Sequence, residues 1–457
     1  MNTLSPHSVA ASVVTSAVRA MPDVMELATT FAAAGFEFAL VGGSVRDLLL
    51  NRPITDLDFT TNATPEQIAQ VVKPWAETVW DVGIAFGTVG VRRNNFKAEI
   101  TTYRSEIYRD ESRKPEVAFG STLDADLVRR DFTINALAVR LPALEFVDLF
   151  DGVLDLSKKL IRTPREPELS FSDDPLRMMR AARFASQLGF TPVVDLLIAA
   201  TDMAQRIEIV SAERIRDEFN KLLMGEFPTT GLEILDGTKL SDYIIPELPA
   251  LQLEIDEHHK HKDVYQHSLI VLQQAISLES LHEPQLQPDL VLRLAALLHD
   301  IGKPKTRRFE AGGGVSFHHH EVVGAKIELH LRFHGYGQGQ WTDSAVRRYV
   351  RDAGDQLVRL HKLTRADCTT RNARRAAILA ATYDDLEERI EVLSEQEELN
   401  SIRPDLDGND IMGILKVPAG PIVGAAYNYL LELRLDQGPV SREQAVEQLL
   451  IWWKTQK

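Results

Sequence analysis

The stretch FALVGGSVRDLLLNRPITDLDFTT, residues 38–61, decides the reading of the first third of this 457-residue chain. Phe38 to Val41 is a short apolar run suited to a buried strand, and Gly42 and Gly43 follow it directly. Glycine lets a backbone approach a ligand closely, and Ser44 can cap a helix beginning near Val45. The free N–H groups of such a helix start suit phosphate oxygens, and Arg46 would add a full charge. Further on, Asp56 and Asp58 lie two apart, so on a strand both carboxylates leave the same face. Paired carboxylates together with triphosphate oxygens are ligands that magnesium favours. A two-metal site of this kind would activate an attacking hydroxyl and steady a leaving pyrophosphate.

Working outward, the N-terminal third mixes short apolar runs with turn signals, as in IAFGTVGVRR, KAEITTYR and LEFVDLFDG. Period-2 alternation and β-branched residues read as strands, with helices around residues 24–34 and 65–72. Near DDPLRMMRAARF, where Asp173, Asp174 and Pro175 make a helix start, the pattern changes. Helical spacing then runs to the C-terminus, interrupted by Gly/Pro-rich breaks such as IIPELPA and VPAGP. The fold class is α+β: a mixed-sheet head followed by an all-helical remainder.

Composition is that of a globular protein, 44% apolar and 26% charged. No apolar run approaches the ~20 residues needed to span a bilayer, so no membrane partner is expected. The first 30 residues lack the basic start and apolar core of a secretory signal. One cysteine, Cys368, excludes an internal disulfide framework, and a cytoplasmic location is expected. The net charge of −15 argues against a protein that coats nucleic acid non-specifically. Locally, residues 341–380 hold nine Lys and Arg against four Asp, a balance of +5 that reads as a solvated helical face or as a basic groove.

G-G-x-V-R-D followed by D-x-D resembles the nucleotidyltransferase superfamily of DNA polymerase β, in its branch of tRNA CCA-adding enzymes and bacterial poly(A) polymerases. Four more segments carry the resemblance: KAEITTYR (97–104), RRDFTINALAV (129–139), DDPLRMMRAARF (173–184) and SAERIRDEFNKLL (211–223). The resemblance implies a polymerase β-like head and catalytic carboxylates Asp56, Asp58 and Glu99, the first two holding Mg²⁺. It also implies nucleotide binding by Gly42, Gly43, Arg46, Arg130, Asp131, Asp174, Arg177, Arg180 and Arg183. In this family protein side chains replace a template. Asp174 and Arg177, three apart on a helix, would share a face and match the Watson–Crick edges of cytosine and adenine. Asp131 would accept from a sugar hydroxyl, Arg130 would contact the base, and Arg180 and Arg183 would point toward triphosphate. The implied activity is addition of C, C and A to the 3′ end of tRNA from CTP and ATP. Poly(A) synthesis and A-only or CC-only addition use the same motifs and stay open.

A second constellation comprises His267, adjacent His299 and Asp300, His320, and Asp367. It resembles the HD metal-dependent phosphohydrolases and implies a divalent metal on His267, His299, Asp300 and Asp367, with Lys303 facing phosphate. An HD phosphohydrolase with a nucleotide-sensing head is therefore a competing reading, although a sensor has no need of the D-x-D pair. The tail elements GNDIM and PAGP resemble the end of the same family, where a grip on tRNA is implied. The expected organisation is a candidate disordered start (1–20), a head (21–165), a neck carrying the base reader (166–245), an HD body (246–400) and a helical tail (401–457).

Overall fold

The computed structural model describes residues 5–54, 56–83, 87–107, 116–119, 122–253, 264–281, 288–306, 308–309, 315–316, 341–370, 372–397 and 402–456. The chain forms two compact units, residues 1–249 and 250–457.

In the first unit, α1 (Pro6–Arg19) and α2 (Pro22–Ala33) lead into β1 (Phe38–Val41), α3 (Gly43–Leu49), β2 (Leu57–Thr61) and α4 (Pro65–Val72). Four strands follow, β3 (Thr78–Gly83), β4 (Thr88–Arg93), β5 (Phe96–Thr102) and β6 (Arg104–Ile107), then β7 (Glu116–Phe119) and α5 (Leu123–Val128). The head closes with β8 (Leu137–Leu141), β9 (Glu145–Asp148) and α6 (Gly152–Lys158). Seven strands form one mixed sheet in the order β3-β4-β5-β2-β1-β8-β9, in which only β2 and β5 run parallel. Phe31 of α2, Phe38 of β1 and Phe59 of β2 stack in sequence, 4.3 and 4.6 Å between ring centroids. Val24, Leu27, Ala28 and Phe31, at helical spacing, are all fully buried. Helix α4 is started by Pro65 and a capping box between Thr64 and Gln67. That packing fills one face of the sheet, so alternate residues of β2 turn to the other.

The candidate disorder of residues 1–20 is corrected for the described part. Ser5 caps α1 by accepting from the Ser8 backbone N–H, and Val14 and Val18 are fully buried. Small apolar residues at positions 10, 14 and 18 give this helix a narrow buried stripe that composition alone does not distinguish from a tail.

After a two-residue pairing of β10 (Leu160–Ile161) with β11 (Thr191–Pro192), the remainder of the unit is helical. Its helices are α7 (Pro167–Asp173), α8 (Leu176–Leu188), α9 (Val194–Asp202), α10 (Ala212–Leu223), α11 (Pro228–Gly237) and α12 (Ser241–Ile244). Helix α8 is buried along most of its length and packs against α10 and α11. It ends at Gly189, whose φ of +66° supplies the left-handed cap that glycine adopts without penalty.

In the second unit, α13 (Val264–Ser277), α14 (Leu290–Leu298) and α15 (Lys303–Thr306) are followed by α16 (Asp343–Ala353), α17 (Leu357–Ala366) and α18 (Ala373–Glu397). Helices α13, α14 and α17 pack together, and Tyr349, Leu360, Leu386 and Ile390 belong to a second buried cluster beside them. The tail helices α19 (Gly408–Leu415), α20 (Pro421–Gln437) and α21 (Arg442–Thr455) enclose their own core around Ile411, Leu430 and Leu449. Asp407 and Asp410 form a capping box at the start of α19, which is the structural role of the GNDIM element.

Candidate active site

The carboxylates come together through strand register. In the parallel pair, Asp58 of β2 stands opposite Glu99 of β5. Phe59 and Ile100 turn into the core, so Asp58 and Glu99 leave the opposite face, with Asp56 two residues earlier on the same side. Asp56 is exposed and lies 3.9 Å from the Lys97 ammonium. Burial raises the Asp58 pKa, opposed by Arg130 and reinforced by Glu99 and Asp56. Three carboxylates brought to one face of the sheet offer the oxygen ligands that a hard divalent cation prefers.

Ser44 does not cap a helix. The cap of α3 is Gly42, and the Ser44 hydroxyl instead accepts from the Asp58 backbone N–H at 3.1 Å and donates to the Asp56 carbonyl at 3.0 Å. It stitches the D-x-D backbone to the turn after β1. Gly42 has φ +73°, and a Cβ there would lie 2.7 Å from Arg130 Nη1, so both conformation and space select glycine. Gly43 follows as the first residue of α3. Arg46 donates to both Asp47 oxygens (2.9 and 3.0 Å) and to Asn135 Oδ1 (2.7 Å), with its guanidinium 5.2 Å from the Phe184 ring centroid.

Asp58 opens onto a cleft of about 300 Å³ whose lining also includes Arg129, Arg130, Asp131, Asp174, Arg177 and Arg180. Arg130 is held by Asp126 at 3.0 Å, one helical turn earlier. Asp131 is buried, and both oxygens are engaged: Oδ1 accepts from Phe132 N and Asn135 Nδ2, and Oδ2 from Arg180 Nε and Nη2. Burial opposes its charge, yet Arg180 and Asn135 hold the carboxyl well below its usual range. The expected sugar-hydroxyl acceptor is thus occupied by protein donors, and Asp131 orients Arg180.

Asp174 and Arg177 do not share one helix. Asp174 is extended (φ −149°, ψ 101°) between α7 and α8, while Arg177 sits in the first turn of α8. Both nevertheless line the cleft. Asp174 Oδ1 accepts from Leu176 N and Oδ2 from Arg214 Nη2 of α10, each at 3.1 Å. Arg177 donates to Ser170 Oγ at 2.9 Å and to the Arg129 carbonyl. Arg183 is turned away from the cleft: it is buried, pairs with Glu218 at 2.9 Å and stacks 4.3 Å from the Phe184 ring. Burial and the neighbouring Arg180 push its pKa down to about 10. Sequence reading gives no individual role to Asp126, Arg214 or Glu218, and gives Ser44 a helix cap rather than its hold on the D-x-D backbone. Only the i,i+4 spacing of Asp126 and Arg130 signals a partner in advance.

The second unit holds a separate cluster. Ligand atoms of His267 on α13, His299 at the end of α14 and Asp367 at the end of α17 all lie within 4.8 Å of one another. Asp300 adds a carboxylate oxygen 3.2 Å from His299 Nε2 and 3.7 Å from His267 Nε2. His299 Nδ1 hydrogen-bonds the Ala296 carbonyl at 2.9 Å, which turns Nε2 toward the cluster. Burial disfavours a charged ring, but Asp300 and Asp367 outweigh it and push His299 up to about 10. The donor set therefore draws positive charge and fits a divalent metal. Lys303 pairs with Asp300 at 2.9 Å. His320, with His318 and His319, lies outside the described residues, as do His258, His259 and His261.

The basic groove expected over residues 341–380 is corrected. Arg347 is buried on Glu397, Arg348 binds Glu432 and Asp436, and Arg351 binds Asp352. Arg359 meets Asp289, Arg365 meets Glu387 and Asp384, and buried Lys362 donates to the Glu279 carbonyl. Arg374 and Arg375 are exposed, and Arg371 lies outside the described residues.

Residues 38–162 match the poly A polymerase head domain, residues 189–251 the probable RNA- and SrmB-binding site of polymerase A, and residues 264–372 the HD domain. A CCA-adding enzyme of Pediococcus pentosaceus is 43% identical over 229 residues, 50% of this chain and 56% of that protein. One of Lactobacillus helveticus is 45% identical over 227 residues, 49% of this chain and 56% of that protein. The chain thus spans little more than half the length of these curated relatives. The structure of the Bacillus stearothermophilus CCA-adding enzyme in complex with CTP superposes with a TM-score of 0.65 at 25% identity, covering 95% of this chain and 99% of that one. The Thermotoga maritima CCA-adding enzyme complexed with tRNA shares the fold, with a TM-score of 0.58 at 18% identity over 94% of both chains. No helix among the described residues is long and apolar enough to cross a membrane.

Proposed function

We propose that this chain adds C, C and A to the 3′ end of tRNA from CTP and ATP, because residues 38–162 match the poly A polymerase head domain and the curated relatives it resembles are CCA-adding enzymes. The observation that carries this reading is the paired register of Asp58 and Glu99 facing a cleft lined by Asp174 and Arg177. Asp56 and Asp58 hold Mg²⁺, with Glu99 as the third carboxylate of the site. When bound, the metal supplies activation of the attacking 3′-hydroxyl and neutralisation of the departing pyrophosphate. Ser44 fixes the backbone that presents both aspartates. Asp174 accepts from the exocyclic amino group of cytosine or adenine, and Arg177 donates to the ring edge. Uracil and guanine reverse that donor and acceptor order, so they leave buried polar groups unpaired. Arg180, aimed by Asp131, and Arg130, aimed by Asp126, face the nucleotide. Arg46 and Arg183 act from behind as supports.

The His267–His299–Asp367 cluster favours a second activity, metal-dependent hydrolysis of a phosphoester in the HD unit. The tail grips tRNA in this reading, and the protein works in the cytoplasm.

Single-turnover extension of a tRNA ending at its discriminator base tests the proposal, with CTP alone, ATP alone, or both, and the product ends sequenced. Growth by two C with CTP, completed by one A when ATP is added, is expected. An unlimited A run from ATP alone would make the protein a poly(A) polymerase. Failure to extend at all would overturn the transferase reading.

A further inference from the structure

We infer that Arg214 on α10 is a positioning residue that sets the nucleotide choice made through Asp174, an inference that rests on the base-reading role proposed above. Asp174 lies in extended backbone between two helices, so no helical neighbour fixes its side chain. Two donors fix it instead. Leu176 N meets Oδ1 and Arg214 Nη2 meets Oδ2, both at 3.1 Å, which defines the plane of the carboxylate. A carboxylate oxygen accepts in two directions, so each keeps one for an amino group entering the cleft.

The second reader is held by different groups. Arg177 is pinned by Ser170 on α7 and by the Arg129 carbonyl. Loss of Arg214 therefore releases Asp174 and leaves Arg177 in place. Helix α10 falls within residues 189–251, the segment matching the RNA-binding model rather than the head. The neck accordingly contributes to selecting bases that carry an exocyclic amino group over bases that carry a carbonyl there.

Arg214 is half-exposed, so the effect is moderate: Arg214→Ala should raise KM for CTP and for ATP about fivefold to tenfold, since a solvent-screened charged hydrogen bond contributes modestly. The fraction of UTP misincorporated should rise in parallel, while kcat stays within about twofold. Arg214→Lys should recover most of the loss, because an ammonium can still reach the carboxylate as a point charge.

The test is steady-state tRNA extension by the full-length protein and its Arg214→Ala, Arg214→Lys and Asp174→Ala variants, with thermal midpoints measured alongside. A changed KM and UTP selectivity in Arg214→Ala, partly rescued by lysine at unaltered thermal midpoint, supports the inference. If Asp174→Ala loses selectivity while Arg214→Ala keeps both KM and selectivity, the role of Arg214 is overturned and the base reading stands. A uniform fall in kcat for every nucleotide, with a lowered midpoint, also overturns it in favour of a purely structural role. If Asp174→Ala itself keeps wild-type selectivity, the base reading fails and the inference falls with it.

Discussion

Replacing Glu218 with alanine tests whether the buried charge network behind the cleft sustains the first unit. Glu218 is 5% exposed, its Oε2 is 2.9 Å from Arg183 Nε, and its Oε1 is 3.8 Å from Arg180 Nη1. Without it, Arg183 stays buried beside another guanidinium, with the Phe184 ring face as the remaining favourable contact described for it. Removing one partner of a buried pair costs about 3–5 kcal/mol, and the ring contact, present before and after, leaves that difference unchanged. The loss corresponds to a drop of about 6–20 °C in the unfolding midpoint for a unit of this size. Thermal unfolding followed by circular dichroism at neutral pH reads this directly. Glu218→Met combined with Arg183→Met should recover most of the loss, since two apolar side chains of similar volume leave no stranded charge. A single-variant drop under about 2 °C would refute the reasoning, and so would a double variant as unstable as the single.

Asp58→Asn should lower the extension rate about a thousandfold, the loss of several kcal/mol of charge stabilisation, measured by single-turnover kinetics. With chelator present the same variant should be more stable than the wild type at neutral pH. The folded-state pKa of Asp58 is raised by burial, so its ionised form destabilises the fold above the ordinary aspartate pKa of about 3.9, and the difference should vanish below that pH; a urea titration series across pH measures it. Gly42→Ala forces φ +73° on a residue with a Cβ and pushes Arg130 aside, at about 1–3 kcal/mol of strain and with impaired nucleotide binding by fluorescence titration. Saturating Mn²⁺ at about 100 times its Kd should stabilise the second unit by about 2.7 kcal/mol, and His299→Ala should abolish that shift in calorimetry.

The parts of the site that follow a short-range period were legible in the sequence. Asp56 and Asp58 share a face because strands repeat every two residues, and the helices near 24–34 and 65–72 follow from apolar spacing. Asp174 and Arg177 were misplaced on one helix because the same spacing argument was carried across Pro175, where the chain leaves α7 and starts again as α8. Partnerships between distant charges were not legible. Arg348 finds Asp436, Arg347 finds Glu397, and Arg183 finds Glu218 only after folding. Most of the basic side chains counted over residues 341–380 are therefore spent on partners within the fold, while Arg374 and Arg375 stay exposed. Asp131 likewise reads as a ligand in its motif, because nothing nearby in sequence announces that Arg180 takes one of its oxygens.

The hairpin between β4 and β5 aims the third carboxylate from a distance. Arg93 pairs with Phe96, so only Asn94 and Asn95 make the turn, and Asn94 adopts φ +52°, which asparagine tolerates better than most residues. From that turn the ladder runs on to Glu99 opposite Asp58. One residue inserted or deleted at the turn would slide β5 along β2 and bring Ala98 or Ile100 to the place of Glu99, apolar in both cases. The turn therefore acts as a sight for a carboxylate it never touches, and a change in its length would take Glu99 from its place opposite Asp58 whatever side chains the turn carries.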